Sequence, residues 1–340
     1  MCLKDATAFN VQFLGDKAIF IDTLSFEKLD PNKPWKAYYQ FCKHFVAPLT
    51  LSSYNQQNFN RLFLQFTDGI PLDYTKELLP FKSKLNYKTL LHLHLHQKVS
   101  NTQVSNKTSS ATFNKKKHLQ LVDNLTELIT ELEFKGNSNW KHYEEHHSKA
   151  YTNLKEETLL SFLTQIPKGN LLDLGANTGH FSRLSIEYSK NIVAAEADFE
   201  SANQCYLSSN SQKLNTIVFD LVNPSPKLGW NNNETDTIYE RMEFETLLCL
   251  ALSHHLILTH NLSFEQVRDY FKEHTRYLAI EFVSKEDEMC QQLVRNKMVN
   301  FPPNYTQQNF EDSFSKAFTI NEVKEISQGK RWLYLMKRKE

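Results

Sequence analysis

The chain has 340 residues, which is long enough for two domains that each bury their own core. Lys and Arg total 39 and Asp and Glu total 39, so no global field draws the protein to nucleic acid or to an anionic membrane. The five cysteines contain no Cys-x-x-Cys pair, which argues against a disulfide framework and a zinc site and favours reduced thiols.

The first residues, MCLKDATAFNVQF, have no basic stretch followed by an apolar run, so we predict no secretory signal. The longest apolar stretch, at 247–258, is interrupted by two histidines and is too short to span a bilayer. We therefore expect a cytoplasmic protein with no membrane segment.

Asp5, Asn10 and Asp22 form the first pattern that carries chemistry. Two short strand-like segments predict a hairpin between Asn10 and Asp22. The segment LKDATAFNVQFLGDKAIFID resembles the catalytic loop of protein kinases and aminoglycoside-kinase-like proteins, in which such residues contact the accepting hydroxyl and bind metal. Only four residues precede Asp5, so we expect residues 1–96 to be a mostly helical, truncated part of a kinase C-lobe without kinase activity. The alternative is a partner chain that supplies the missing lobe.

His92, His94 and His96 alternate along LLHLHLHQK, a spacing that would place three imidazoles on one face of a strand as metal ligands. The same residues fit a helix equally well, and no carboxylate or cysteine accompanies them, so we predict no metal site. The polar tract at 97–118 lacks apolar periodicity and is predicted to be a linker. Residues 119–168 are predicted to form a helical cap, because apolar residues recur there at helical intervals.

Residues 171–198, LLDLGANTGHFSRLSIEYSKNIVAAEAD, are the most informative stretch of the chain. An apolar run predicts a buried parallel strand, Gly175 and Gly179 predict a tight turn, and helical spacing and a second apolar run follow. The second run ends on Glu196, at the distance where a carboxylate accepts both hydroxyls of a ribose. We therefore predict a nucleotide-binding βαβ unit, and residues 169–340 are predicted to form its domain.

The turn reads Asp173-x-Gly175-x-x-x-Gly179, which resembles motif I of class I S-adenosylmethionine (SAM) methyltransferases. SAM carries an ammonium and a sulfonium and no phosphate, so a carboxylate at the turn attracts it, whereas it would repel a dinucleotide pyrophosphate. A glycine turn in another doubly wound protein is the alternative. The resemblance implies an α/β fold with a Rossmann-like seven-stranded sheet, and SAM as the cofactor.

The same resemblance gives candidates for the SAM site. Asp220 follows the predicted third strand and would accept from the adenine amino group. In many of these methyltransferases, aromatic residues before motif I reach the cleft, where cation–π attraction to the sulfonium is worth about 1 kcal/mol; here they could equally pack the cap onto the sheet. The predicted SAM-binding residues are Asp173, Gly175, Asn177, Gly179, Glu196, Asp220, Trp140 and Tyr143.

His254 and His255 follow the predicted fourth strand, at the end where open α/β sheets place their reacting groups. An imidazole there can act as a general base, worth roughly 10²- to 10⁴-fold in rate. A structural role in hydrogen bonding is the alternative. We take both as catalytic candidates and prefer His254, because it is nearer to the strand end.

The last elements are predicted to be a fifth strand at 277–283 and an antiparallel final pair at 314–323 and 332–336. The segments LKDATAFNVQF, FIDTLSFE, PWKAYYQFCKHFVAPL, LLDLGANTGHFS, NPSPKLGW, LALSHHL and IEFVSKEDEM are together similar to a bacterial family of SAM-dependent methyltransferases related to nodulation-type proteins. This implies methyl transfer from SAM to an acceptor that the sequence does not identify, with a small molecule or protein favoured over nucleic acid. The alternatives are a non-catalytic SAM sensor or scaffold, and one half of a split kinase–methyltransferase.

Overall fold

The computed structural model describes residues 1–95, 113–136 and 148–340. The chain divides into two compact units, one formed by Met1–Phe13 and Lys17–Asn137 and the other by Leu14–Asp16 and Ser138–Glu340. The bounds predicted from the sequence, at 1–96, 97–118, 119–168 and 169–340, stay predictions.

The first unit consists mainly of short helices. The N-terminal strands are β1 (Cys2–Leu3), β2 (Val11–Leu14), β3 (Lys17–Phe20) and β4 (Phe26–Glu27), with β1 paired to β4 and β2 paired to β3. The α-helices among its described residues are Tyr38–Phe41, Ala47–Asn55, Asn60–Leu64, Leu72–Leu78, Tyr87–Thr89 and Lys115–Glu131; wider π turns lie at Cys42–Val46 and Leu90–Leu95, and 3-10 turns at Ala8–Asn10, Thr23–Ser25 and Phe81–Leu85. The predicted hairpin after Asn10 is therefore present.

The helix Lys115–Glu131 belongs to the first unit. Asn114 caps it by accepting from the main-chain N–H of Lys117 at 2.9 Å. Leu125 and Leu128, three positions apart on one face, are buried in the core of this unit. The sequence predicts this helix as part of the cap at 119–168, with its first residues in the linker at 97–118. The sequence shows the apolar face of the helix, but only packing decides what that face covers.

The alternating histidines are part of this helical unit. Leu90–Leu95 is helical, so the strand reading that would align the imidazoles is wrong. His92 hydrogen-bonds the Tyr38 hydroxyl at 2.6 Å and Asn124 Oδ1 at 2.8 Å, and His94 hydrogen-bonds Ser83 Oγ at 2.9 Å. His96 lies outside the described residues. The two described histidines satisfy buried polar groups of the core.

Seven strands of the described residues form the sheet of the second unit. They are β5 (Asn170–Leu174), β6 (Asn191–Glu196), β7 (Leu214–Val218), β8 (Phe244–Cys249), β9 (Thr275–Val283), β10 (Phe318–Ser327) and β11 (Arg331–Arg338), in the order β10-β11-β9-β8-β5-β6-β7. Strands β7, β6, β5, β8 and β9 are parallel, and β11 and β10 join antiparallel. The predicted α/β fold with a seven-stranded sheet is confirmed, including the antiparallel final pair.

The direction of the chain through this sheet reverses at β5. From β5 the chain runs outward through β6 to β7 and then returns to β8 on the other side of β5. The carboxyl ends of the strands on both sides of such a reversal leave a crevice, where open α/β sheets bind their ligands. The crevice here is expected beyond the ends of β5, β6 and β8.

Both faces of the sheet are buried. Leu172 and Leu174 of β5 pack in one hydrophobic cluster, whereas Leu171 packs in another with Leu248 and Ala279. Side chains alternate between the faces of a strand, so a continuous apolar run serves both clusters.

Helices cover these two faces and connect the strands. From residue 148 onward the α-helices are Lys149–Thr164, His180–Leu184, Phe199–Ser208, Ile238–Arg241, Ser253–Leu258, Phe264–His274, Glu288–Lys297 and Gln307–Phe314, and 3-10 turns lie at Ile186–Tyr188 and Trp230–Asn232. Among the residues described, no helix has both the length and the apolar character needed to cross a bilayer.

Candidate functional site

The turn after β5 holds three residues in the left-handed region of backbone conformation. Gly175 has φ 72°, Asn177 has φ 50° and Gly179 has φ 81°. The main-chain N–H groups of Gly175 and Ala176 both donate to the carbonyl oxygen of Ala195, at 2.9 and 3.2 Å. The turn is therefore fixed against the end of β6.

Gly179 is needed for close packing. A Cβ atom at this position would lie 2.3 Å from Cys205 Sγ, in the helix that follows β6. Gly175 has no such contact below 3.4 Å, and it is exposed towards the cleft. The two glycines of the motif thus have different tasks: Gly179 admits the neighbouring helix, and Gly175 leaves the turn open to a ligand.

Glu196 ends β6 and faces the same turn. Its Oε2 accepts from the main-chain N–H of Asn177 at 2.8 Å, and its Oε1 accepts from that of Asp198 at 2.8 Å. Burial raises the pKa of Glu196 above its ordinary value, while these main-chain donors oppose the increase. Two donors on two oxygens fix the orientation of the carboxylate.

A first compartment of about 290 Å³ lies beyond the ends of β5, β6 and β8. Glu196 and Asp220 line it together with the apolar side chains of Phe219, Leu221 and Leu252. Asp220 accepts from the main-chain N–H of Val222 at 3.0 Å, which orients its carboxyl group. The structure thus brings Asp220 and Glu196 to one cavity, as the predicted strand ends require.

A second compartment, of about 670 Å³, lies on the other side of the turn. Tyr151, Lys155, Asp173, His180 and Phe181 line it. The walls of both compartments include Gly175, Asn177, Leu250 and Ala251. The two compartments are therefore adjacent parts of one cleft, separated by the turn and by the segment that follows β8.

Asp173 lies on the floor of the second compartment and is buried. Ser182 Oγ donates to its Oδ2 at 2.5 Å. Burial raises the pKa of Asp173 to about 6, although the Ser182 hydrogen bond and the charge of Lys155 act in the opposite direction. This carboxyl group is therefore ionised near neutral pH and becomes protonated in mild acid.

A buried ionic network lies next to the second compartment. Lys155 Nζ is 2.7 Å from Glu281 Oε2, and the Arg331 guanidinium contacts both Glu281 and Asp287. Tyr151 donates its hydroxyl to Glu281 at 2.9 Å. Burial disfavours the charge on Glu281, but Lys155 and Arg331 outweigh it and lower the pKa of Glu281 to about 2. Sequence reasoning missed this network, although a glutamate inside the apolar run YLAIEFV was a signal for it.

The two histidines predicted to be catalytic lie deeper than expected. Strand β8 ends at Cys249, and both residues are in the helix Ser253–Leu258. His254 is buried and lines neither compartment, and burial together with His255 lowers its pKa well below the ordinary value. His255 lines the first compartment, and burial, His260 and Lys297 lower its pKa to about 4. Strand β8 ends five residues before His254, and the structure places His255 rather than His254 along the first compartment, so His254 is not the one that points into it. The catalytic role of both histidines stays a prediction.

Two predicted aromatic contacts cannot be placed, since Trp140 and Tyr143 lie outside the described residues. The aromatic residue Tyr151, from the same segment of sequence, does line the second compartment.

The kinase-like residues lie in the first unit. Asp22 accepts from the main-chain N–H of Leu24 at 2.9 Å and from Ser25 Oγ at 2.6 Å, and Asn10 donates to the same Ser25 oxygen at 3.1 Å. Asp5 accepts from the main-chain N–H of Thr7 at 3.1 Å. These contacts stabilise local turns, and within the described residues no group of three His, Cys, Asp or Glu side chains is placed to hold a metal.

Comparisons with known proteins find a nodulation protein that is similar in sequence and solved structures that are distantly similar in shape. No protein-family model matches it. The nodulation protein NoeA of Rhizobium meliloti (strain 1021) is 27% identical over 352 residues, which covers 100% of this chain and 74% of NoeA.

Solved structures also show a likeness. The N-methyltransferase NodS from Bradyrhizobium japonicum WM9 has a TM-score of 0.41 at 12% identity, and the match covers 57% of this chain and 99% of that one. The magnesium protoporphyrin IX methyltransferase from Synechocystis PCC 6803, with bound SAM, has a TM-score of 0.40 at 12% identity and covers 60% and 86%. These TM-scores are too low to assign a fold. The α/β fold of this chain is assigned from the order and direction of its own strands.

Proposed function

We propose that this chain transfers a methyl group from SAM to an acceptor that is a small molecule or a protein. The observation that carries the proposal is the carboxylate of Glu196, held by the main-chain N–H groups of Asn177 and Asp198 at 2.8 Å each. A carboxylate oxygen can accept more than one hydrogen bond, so this group can still accept from hydroxyl donors. A fixed carboxylate at the end of the second strand of a βαβ unit is what the two ribose hydroxyls of a nucleoside require.

The two compartments suit the two ends of SAM. In the proposal the adenine lies in the first compartment beside Asp220 and Phe219, and the methionine end lies in the second beside Asp173, whose carboxylate attracts the ammonium group. Asn177 Oδ1, in the wall that the compartments share, is buried and has no hydrogen-bond partner among the described residues. A buried polar atom without a partner is costly unless a ligand or water satisfies it.

Methyl transfer from a sulfonium needs little covalent chemistry from the protein. The rate depends mainly on holding the acceptor atom in line with the methyl group, and such positioning can supply several kcal/mol of the barrier. The fixed turn and the oriented Glu196 would hold SAM, one of the two reactants, in place. The proposal favours a small molecule or protein as acceptor because the net charge of the chain is zero.

Calorimetry with SAM tests the cofactor site. A hydrogen bond to a charged carboxylate is worth roughly 1.5 to 3 kcal/mol, so Glu196→Ala is expected to weaken SAM binding by about tenfold or more. Glu187→Gln is the matched control, because this glutamate is exposed and lines neither compartment. Unchanged binding in Glu196→Ala would show that the ribose site is wrong, and a wild-type protein that does not bind SAM would reject the proposed function.

The acceptor is found by incubating the protein with SAM that is radiolabelled in its methyl group and with fractions of a cell lysate. Label in protein or in small molecules supports the proposal. Binding of SAM without transfer to any fraction favours a SAM sensor or scaffold instead.

Two further assignments stay proposals. We propose a reducing, cytoplasmic setting, since all five cysteines are free thiols. The second is that residues 1–96 are kinase-like and that a partner chain supplies the missing lobe. If so, ATP and Mg²⁺ should raise the melting temperature of the protein, and Asp22→Asn should abolish this increase. Failure of ATP and Mg²⁺ to bind would reject it.

A further inference from the structure

His180 and Glu156 form a hydrogen-bonded pair at the second compartment. The atoms His180 Nε2 and Glu156 Oε1 are 2.7 Å apart, and the side chains are 35% and 27% exposed. His180 is the first residue of the helix that begins after Gly179, and Glu156 lies in the helix Lys149–Thr164. The turn of the SAM motif thus places this imidazole next to the cleft, and a second helix holds it there.

The contact with Glu156 determines which ring nitrogen carries the proton. A carboxylate accepts hydrogen bonds, so Nε2 of the neutral ring is the donor and the lone pair is left on Nδ1. Among the described residues, none hydrogen-bonds Nδ1. His180 lines the second compartment together with Asp173 and Gly175. An imidazole that is oriented by a carboxylate and has an open lone pair is the arrangement of a general base.

The two histidines predicted from the sequence to be catalytic fit this role less well. His254 is buried and lines neither compartment, and His255 faces the first compartment with a pKa lowered to about 4. His180 differs from them in its exposure at the second compartment and in its hydrogen bond to the carboxylate of Glu156. Of the histidines that the structure describes, His180 is the one that lines the second compartment, and its surroundings suit proton transfer on the methionine side of the turn.

Resting on the proposed SAM-dependent function, we propose that His180 is the general base of methyl transfer and that Glu156 is the residue that positions it. The acceptor is then a molecule whose reacting atom carries a proton, an O–H or an N–H. The lone pair of that oxygen or nitrogen forms a bond to the methyl carbon, the carbon–sulfur bond breaks, and its electron pair stays on the sulfur of S-adenosylhomocysteine. The proton of the acceptor moves to Nδ1 of His180. The imidazolium takes up the positive charge that the sulfonium loses, and Glu156 balances it.

Two substitutions separate this role from simple helix packing. His180→Gln keeps an N–H group for Glu156 but removes the Nδ1 lone pair, and Glu156→Ala removes the orienting carboxylate. Glu156→Gln keeps an oxygen acceptor and is the conservative variant. Glu157→Gln is the matched control, because Glu157 is the exposed neighbour on the same helix.

The experiment measures SAM affinity by calorimetry and methyl transfer from radiolabelled SAM to the lysate fraction that the wild-type protein labels. We expect His180→Gln to lower kcat by 100-fold or more, while its Kd for SAM stays within threefold of the wild-type value. Glu156→Ala is expected to lower kcat about tenfold with an unchanged KM for SAM, and Glu156→Gln to recover part of this loss. The ¹⁵N shifts of labelled histidine should show the Nε2–H form of His180 in the wild type and its loss in Glu156→Ala.

Three results would overturn the proposal. They are transfer by His180→Gln at the wild-type rate, a neutral His180 with its proton on Nδ1, and SAM binding without transfer to any fraction. The first two results reject the role of His180 but not the proposed methyl transfer. The third rejects methyl transfer as well and supports SAM binding alone. A wild-type protein that does not bind SAM rejects the proposed function and this inference with it.

Discussion

Lys155 and Glu281 form an ion pair in which Nζ and Oε2 are 2.7 Å apart, and the two side chains are only 5% and 0% exposed. Arg331 and Asp287 complete the set, so two positive and two negative groups lie together out of water. Lys155 belongs to the helix Lys149–Thr164 and Glu281 to β9. The pair thus ties a wall of the second compartment to the centre of the sheet.

Removing one member of this network should destabilise the fold strongly. Glu281→Gln leaves Lys155 buried without its counter-ion, and breaking a buried pair in this way costs about 3–5 kcal/mol. The measurement is the free energy of unfolding in urea. Glu288→Gln breaks the exposed Lys330–Glu288 pair, in which Glu288 is 74% exposed, and is expected to change the free energy of unfolding far less, because solvent screens this pair. Equal losses in the two variants would contradict this account of the network.

Asp173 should make the folded protein less stable as pH rises. Its folded pKa of about 6 lies above the ordinary 3.8, so its contribution is fully present below pH 3.8 and is lost as pH rises through about 6. At 1.36 kcal/mol per pKa unit the loss approaches about 3 kcal/mol. Asp173→Asn cannot ionise, so the free energy of unfolding of the wild type should fall relative to this variant between pH 4 and pH 7. A difference that stays constant over this range would show that the pKa of Asp173 is not raised.

Gly179 and Gly329 separate the cost of backbone strain from that of a clash. Both have positive φ, 81° and 65°, but a Cβ at Gly179 would meet Cys205 Sγ at 2.3 Å, whereas one at Gly329 has nothing within 4 Å. Gly329→Ala should lower the free energy of unfolding by about 1–2 kcal/mol, from strain alone. Gly179→Ala should cost about 1–3 kcal/mol more, from overpacking, and should weaken SAM binding.

The matched test repeats Gly179→Ala in a Cys205→Ala background, where the clashing sulfur is absent. In that background Gly179→Ala should lower the free energy of unfolding by less than it does in the wild type. If Gly179→Ala and Gly329→Ala cost the same in the wild type, the packing role of Gly179 is refuted.

Features of this protein that depend on local residue pattern were predictable from the sequence. Apolar runs at 171–174 and 192–195 form buried parallel strands, glycines form the turn between them, and Glu196 lies at the end of the second strand facing that turn. These features follow because strand alternation, turn conformation and the distance along one βαβ unit are all set within about 30 residues.

Contacts between side chains that are distant in sequence depend on how the helices pack on the sheet, and local pattern does not predict them. Tyr151 and Glu281 hydrogen-bond although they are 130 positions apart, and the pairing of His180 with Glu156 depends on how two helices pack. The position of His254 also depends on packing. Strand β8 ends at Cys249, where its pairing with the neighbouring strands stops, and the helix that follows buries the His254 side chain. Periodicity shows which face of an element is apolar, but the partner of that face, and the charges buried with it, are selected by the packing of the whole sheet.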